Sequence, residues 1–413
     1  IPLELYQVQA QGFRAWMERR ALPVVALPAA TFPAAAAAPP AAALWTEAPA
    51  ELSGPRIAEL LKKKGEVSVS ASALEPYYYC SAKWLYERVL RLESRRMETA
   101  LMAENVTGSL YHAVLDTFFK ALAGKTLEGP VPGAAGETPE TGGLPPAYSR
   151  LLASAIREVF DGLPLLSGER APLSALTSRF FRAQEKTVEK QLELLLTALL
   201  AYFEGCRVAG SELSRRVEKE GYYLTGNIDL LLRDDREKSE SPGGIIVDFK
   251  LSRLPDRKAC VGEGGLENFQ LPMYVTLAEA AGGETVGTAL FFSILKTETA
   301  VIFGCIRDSY TGKLKPARQA ILRGKDGRFD AVMEEFWAKV RAYAGDIGEG
   351  NIAAPRAGEE RCGPCPYRRV CRTLYTVAGD RTYLSGGMKK PEALETPRVP
   401  AGGKSPAHGV NAE

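Results

Sequence analysis

Histidine is nearly missing from this chain, with two in 413 residues, and net charge is nearly missing as well, at +2. The first scarcity confines any imidazole chemistry to His112 or His408. The second excludes a uniformly basic protein, so a surface for a polyanion must be a local patch such as Arg88, Arg91, Arg95 and Arg96, or Arg368, Arg369 and Arg372. No uninterrupted apolar run approaches the roughly 18 residues of a membrane helix, and Pro23, Pro28, Pro33, Pro39 and Pro40 break the Ala-rich run after Arg19-Arg20. Neither a membrane span nor a signal peptide is expected. No Gly-x4-Gly-Lys-[Ser/Thr] loop is present, so ATP hydrolysis is not expected from these residues. Cysteines number seven, and three of them crowd into Cys362, Cys365 and Cys371. An odd, clustered set is not a secreted disulfide framework and points to a reducing cytoplasm. The first residue is Ile1 rather than Met, as in a piece of something longer or a trimmed chain.

What is present is ordinary globular sequence, 46% hydrophobic and 25% charged, enough for one large domain or two smaller ones. Residues 1–20 could form a short helix, and 21–55 are Ala/Pro-rich sequence too poor in large apolar groups to order itself. Residues 1–66 are therefore expected to be a terminal segment and linker, 67–380 a domain, and 381–413 a disordered tail. Inside the domain, Ser68, Ser70 and Ser72 offer caps to an aromatic-rich helical stretch around Tyr77 to Leu92. Leu110, Val114, Leu115 and Phe118 give one buried face to a helix from Gly108 to Leu122. A Gly/Pro-rich loop, 124–146, and helices near 148–162 and 175–205 form a helical insertion. Strands follow at 221–232 and 244–251, joined as a hairpin, then a helix near 268–281, strands near 288–295 and 299–306, and a helix near 328–344.

The sharpest chemical signal lies on the two hairpin strands: Gly226-Asn227-Ile228-Asp229 on the first and Val247-Asp248-Phe249-Lys250 on the second, the aspartates 19 residues apart. Two carboxylates meeting at one end of a sheet offer hard oxygens to a divalent cation, and strand alternation sets Asp248 and Lys250 on one face. Phosphodiester hydrolysis needs such a cation, an activated water and a positive group for the developing charge. An isolated Asp-x-Lys is also what two strand-end acids paired with surface cations look like. A lone helical histidine such as His112 is likewise more often a hydrogen-bonded core residue than a ligand. Glu218 and Glu220 lie before the first strand, within a run that reads as solvated charge.

Cys362-x2-Cys365-x5-Cys371 supplies three soft ligands, one short of the four that a zinc ion or a cubane cluster takes. Cys80, Cys206, Cys260 and Cys305 are candidates for the fourth. The last three fall in or beside helix and strand patterns, where cysteine usually serves as a small apolar residue.

Taken in order, Gly108-x3-His112, Gly226-x2-Asp229, Asp248-x-Lys250 and Gln270-x3-Tyr274 resemble the RecB-like branch of the PD-(D/E)xK nucleases, over roughly residues 67–375. The resemblance implies an α/β fold of the α+β kind, a restriction-endonuclease-like central mixed sheet flanked by helices. It implies a Mg²⁺- or Mn²⁺-dependent deoxyribonuclease with His112, Asp229 and Asp248 on the metal and Lys250 catalytic. Gln270 and Tyr274 would hold the lysine and the DNA backbone. The stretch Ser70-Ala71-Ser72-Ala73-Leu74-Glu75-x4-Cys80 with Trp84-Leu85-Tyr86 resembles the opening of AddB-type nuclease domains, where one N-terminal and three C-terminal cysteines hold a [4Fe-4S] cluster. On that likeness Cys80 joins Cys362, Cys365 and Cys371, although Ser81 stands where the family commonly has proline. Such a staple between the domain's two ends would stabilise it by about 4–5 kcal/mol. Zinc on the same four thiolates is the competing reading. The implied setting is recombinational repair, with DNA and a helicase domain or subunit as partners. The alternatives are a stand-alone exonuclease of the CRISPR-adaptation kind, and a scaffold subunit that has lost catalysis.

Overall fold

A computed structural model describes residues 55–62, 65–92, 104–131, 142–162, 179, 182–234, 243–283, 285–307, 314–316, 319–352 and 362–371. The helix expected in 1–20, the Ala/Pro-rich linker, the tail after 380, and Arg95, Arg96 and Arg372 lie outside the described residues. Order is visible before Val67, where it was expected to begin. Helix α1, Pro55–Leu61, starts on a proline whose missing N–H is no loss in a first turn.

Next come β1, Ser68–Val69, and α2, Ala71–Tyr79. They lead into α3, Ser81–Trp84, and a π-helical turn, Leu85–Val89. Ser70 takes the extended conformation of an N-cap but makes no side-chain cap bond. The helices α4, Glu104–Ala121, α5, Pro146–Asp161, and α6, Glu185–Phe203, follow. Each buries an apolar face, with Leu192, Leu195, Leu196, Leu199 and Leu200 of α6 enclosed; Leu194, expected to be buried with them, lies on the outer face and is exposed.

The main departure from expectation is β2, Arg207–Lys219, which pairs along its length with β3, Tyr222–Asp234. Its sequence carries six charged residues and little alternation. As an edge strand bonded to β3 alone, it needs no apolar outer face. The run Arg215 to Glu220 is solvated, as read, but sits at the end of this strand. Glu220 and Gly221, at φ 52° and 81°, turn the hairpin. Then come β4, Gly243–Lys250, α7, Arg257–Val261, and α8, Gln270–Gly282. The remaining strands are β5, Val286–Ser293, β6, Thr299–Phe303, β7, Cys305–Arg307, and β8, Leu314–Pro316. Helices α9, Arg328–Glu349, and α10, Arg368–Cys371, complete the described elements, and α1 packs on α9.

The central sheet is mixed, as expected: six strands in the order β1-β3-β4-β5-β6, with β2 on β3. β1 is parallel to β3 and β4 is parallel to β5, while β3 is antiparallel to β2 and β4. The β4–β5 pair needs a crossover, which α8 provides. β4 reads as an almost continuous apolar run because both its faces are covered. Ile245, Val247 and Phe249 belong to a core shared with α4, α5 and α6; Ile246 belongs to a second core shared with α2, α8 and α9. Among the described residues no helix is long and apolar enough to cross a membrane.

Gly226 lets α8 approach β3. A Cβ there would lie 2.9 Å from Leu277 Cδ1 and 3.3 Å from Tyr274 Cε1, and Leu277 is fully buried. Gly226→Ala is expected to destabilise the fold by about 1–3 kcal/mol through overpacking, measured as a lower urea midpoint. An unchanged midpoint would mean that the α8 packing yields freely.

Candidate functional site

The β3–β4 ladder runs from Asp234↔Gly243 to Leu230↔Val247 and stops there. One step further, in the same register, Asp229 and Asp248 would face each other. The strands part instead, and the amide of Phe249, left without a ladder partner, donates to Asp229 Oδ2 at 2.8 Å. That bond fixes the carboxylate at the mouth of the gap.

His112 reaches the same place from α4. Its Nδ1 lies 3.5 Å from Asp229 Oδ2 and 3.7 Å from Glu212 Oε1, and the ring stands edge-on to Phe249. His112, Glu212 and Asp229 each offer a ligand atom within 4.8 Å of the other two, the only such trio among the described residues. Glu212 was not among the expected site residues. It is opposite Asp229 on β2, between the register pairs Ser211↔Leu230 and Leu213↔Ile228. Its φ of 43° is rare for a side chain of its kind inside a strand. Such local strain is often found at functional positions. Glu218 and Glu220 are at the far hairpin end, near the hydroxyls of Tyr223 and Tyr222.

Asp248 is 2% exposed and sits on the α8 side of β4. Lys250 Nζ is 2.5 Å from its Oδ2, but the approach is not along a good hydrogen-bond direction, and that oxygen has no well-formed hydrogen bond. Nζ also lies 5.2 Å from the centre of the Phe291 ring. Tyr274 is buried one turn into α8; burial and the charges of Asp248, Asp229, Glu75 and Glu212 push its hydroxyl pKa far up, so it keeps its proton. Gln270 opens α8, its amide taking Asn268 Oδ1 at 3.3 Å, and no hydrogen bond joins its side chain to Lys250.

The electrostatics are those of a place prepared for positive charge. Burial, then Asp248, raises Asp229 to about 7 against the pull of His112 and the Phe249 amide. Burial also raises Asp248, opposed by Lys250. Burial alone would lower His112, but Glu212, Asp229 and Asp248 outweigh it and raise it. One imidazole, clustered carboxylates and a buried oxygen lacking a good partner fit a hard divalent cation. Beside them opens a cleft of about 680 Å³ lined by Gly108, Ser109, His112, Ala113, Asp116, Glu212 and Asn227. Among the described residues nothing lies within 4 Å of where a Gly108 Cβ would be, so the cleft wall is open there.

Three of the four cysteines expected as ligands lie near Tyr86, and no cysteine belongs to the metal-ligand group found among the described residues. Cys80 joins α2 to α3, and Cys365 and Cys371 bracket Tyr367, whose hydroxyl donates to Leu92 O at 2.5 Å. Burial pushes the Tyr86 hydroxyl up to about 12, aided by Cys371, which is hydrogen-bonded to it, and by Cys80 and Cys365. The ring of Tyr86 lies 5.3 Å from that of Tyr367. Cys206 and Cys260 are buried in the two separate cores, and Cys305 is held against Thr288.

The model of the PD-(D/E)XK nuclease superfamily matches residues 68–372, and the chain belongs to that superfamily. No curated protein matches it significantly. Among solved structures it is similar to a crystal structure from Eubacterium rectale described as "Putative exonuclease", at 12% identity and a TM-score of 0.36, covering 77% of this chain and 93% of that one.

The raised Asp229 makes a signed prediction. Its folded value of about 7 exceeds the ordinary 3.8, so between them the folded chain holds the extra proton. Cation-free protein therefore loses stability as pH rises through that window, and the full penalty is present above it. Asp229→Asn removes the penalty. In chelator the variant should resist urea better than wild type at a pH of about 8, the gap closing toward a pH of about 4. A gap independent of pH would mean that Asp229 stays ionised throughout.

Proposed function

We propose that this chain is a divalent-cation-dependent deoxyribonuclease, an exonuclease on DNA ends or single strands, serving as the nuclease module of a cytoplasmic recombinational-repair helicase–nuclease. The observation that carries this reading is the meeting of His112, Glu212 and Asp229 beside the Asp248–Lys250 pair, where β3 and β4 separate. His112, Asp229 and Asp248 would hold Mg²⁺ or Mn²⁺, with Glu212 at the same site. Bound there, the cation supplies Lewis acidity to a phosphate oxygen and a more acidic water.

The chain's own groups do the rest. The Phe249 amide holds Asp229 in a single orientation. Lys250, on the strand face that also carries Asp248, directs its ammonium at the phosphate and offsets charge that develops there. Tyr274, kept protonated, has a hydroxyl to donate, and Gln270 sits at the positive end of α8, where a phosphate can be held. The cleft lined by Ser109, Asp116 and Asn227 receives the strand.

For the cysteines, we read Cys80, Cys362, Cys365 and Cys371 as ligands of a [4Fe-4S] cluster with a structural role. The all-thiol donor set supports it.

End-labelled single-stranded DNA incubated with the protein should yield a product ladder with Mg²⁺ and none with chelator. Asp248→Ala and Lys250→Ala should each lower the rate by about a hundredfold or more while the circular dichroism spectrum stays that of wild type. Full activity in either variant would overturn the assignment. Anaerobically purified protein should be brown, and Cys365→Ala should bleach it and lower its melting temperature. Colourless protein with stoichiometric zinc would replace the cluster with a metal ion.

A further inference from the structure

Helix α2 offers one carboxylate to the start of α8. Glu75 Oε1 accepts the amide of Phe269 at 3.2 Å. Phe269 is the N-cap of α8 and provides no side-chain cap of its own. The first amides of a helix lack intrahelical partners, and its positive end favours an anion. Glu75 is therefore a cap supplied from another element to the helix that carries Gln270 and Tyr274.

The rest of α2 is clamped so that this carboxylate stays put. Tyr77 donates to Asp346 Oδ2 at 2.7 Å and Tyr78 to Lys339 O at 2.6 Å, both on α9. The ring of Tyr78 lies 5.5 Å from that of Phe269. Burial pushes the Glu75 carboxyl up, while the Phe269 amide and then the Lys250 ammonium pull it down. A cation bound by Asp248 would weaken that carboxylate's hold on Lys250, and Glu75 is then a second negative charge acting on the lysine.

We propose, resting on the nuclease reading above, that Glu75 is a positioning residue for phosphodiester hydrolysis: it anchors the N-terminus of α8 and keeps Lys250 aimed once Asp248 is engaged elsewhere. It acts through its neighbours and does not touch the scissile bond. Because α2 ends at Cys80, the same short helix ties the thiol site to the catalytic lysine.

The test compares full-length wild type, Glu75→Ala and Glu75→Gln. Glu75→Ala is expected to lower kcat on single-stranded DNA at saturating Mg²⁺ by about tenfold or more, with KM within about twofold. Amide exchange at Phe269 and Gln270 should speed up in the same variant. Glu75→Gln keeps an acceptor oxygen without the charge, so exchange should return to wild-type rates while kcat recovers only in part. Unchanged kcat in Glu75→Ala, or full recovery of kcat in Glu75→Gln, overturns the role toward Lys250. Wild type that cuts no DNA would instead remove the nuclease reading, and the exchange rates would still decide whether Glu75 anchors α8.

Discussion

Backbone pairing between β3 and β4 ends at Leu230 and Val247, and the site depends on that interruption. Had the ladder continued, the Phe249 amide would have been spent on a carbonyl and Asp229 would have been free to swing toward solvent. Because it stops, the unpaired amide takes the carboxylate, and a charged group is held in a place that burial makes unfavourable for it. Asp248, Glu212 and Asp229 crowd there with a single imidazole. A chain selected only for stability would not collect buried acids in this way. Local rules are broken where function requires it, and the raised Asp229 measures how far this site is from electrostatic balance without a cation.

The position of the cluster also follows from the two-sided sheet. Asp248 and Lys250 share the β4 face of Ile246, toward α8, whereas His112 arrives on α4, which packs against the opposite face with Phe249. Side chains from opposite faces cannot meet through a paired sheet. They meet where strands end or part, which is why the parting of β3 and β4 brings α4 and α8 chemistry together.

Much of this was legible in the chain. The buried faces of α4, α6 and α9 follow from apolar spacing, and β4 shows itself as an apolar run interrupted by Asp248 and Lys250. His112 and Asp229 were readable as candidates through ordered motifs, and the structure brings them to within 3.5 Å. Glu212 was not, because it sits in a polar edge strand that makes no period-two pattern. A signal was available all the same: Glu220-Gly221 is a two-residue turn, and a hairpin folded about it sets residue 212 against residue 229. Reading the turn before the strands would have found the acid. The tertiary cap from Glu75 to Phe269, 194 residues apart, has no counterpart in local sequence, since only packing decides which carboxylate meets a helix end.

The joining of the chain's two ends does not depend on cysteine alone. Tyr77 and Tyr78 bond to α9, Tyr367 reaches Leu92 across 275 residues, and β1 lies parallel to β3. Packing and hydrogen bonds thus already tie α2 to α9 and the segment before α10 to Leu92, and thiol ligation would add a further link between the two ends. Its effect should then fall chiefly on the unfolded chain, whose freedom it restricts across nearly the whole domain, rather than on the shape of the folded one. The candidate site, held by the parted strands and the start of α8, has a structural basis separate from any such thiol link, and α2 adjoins both.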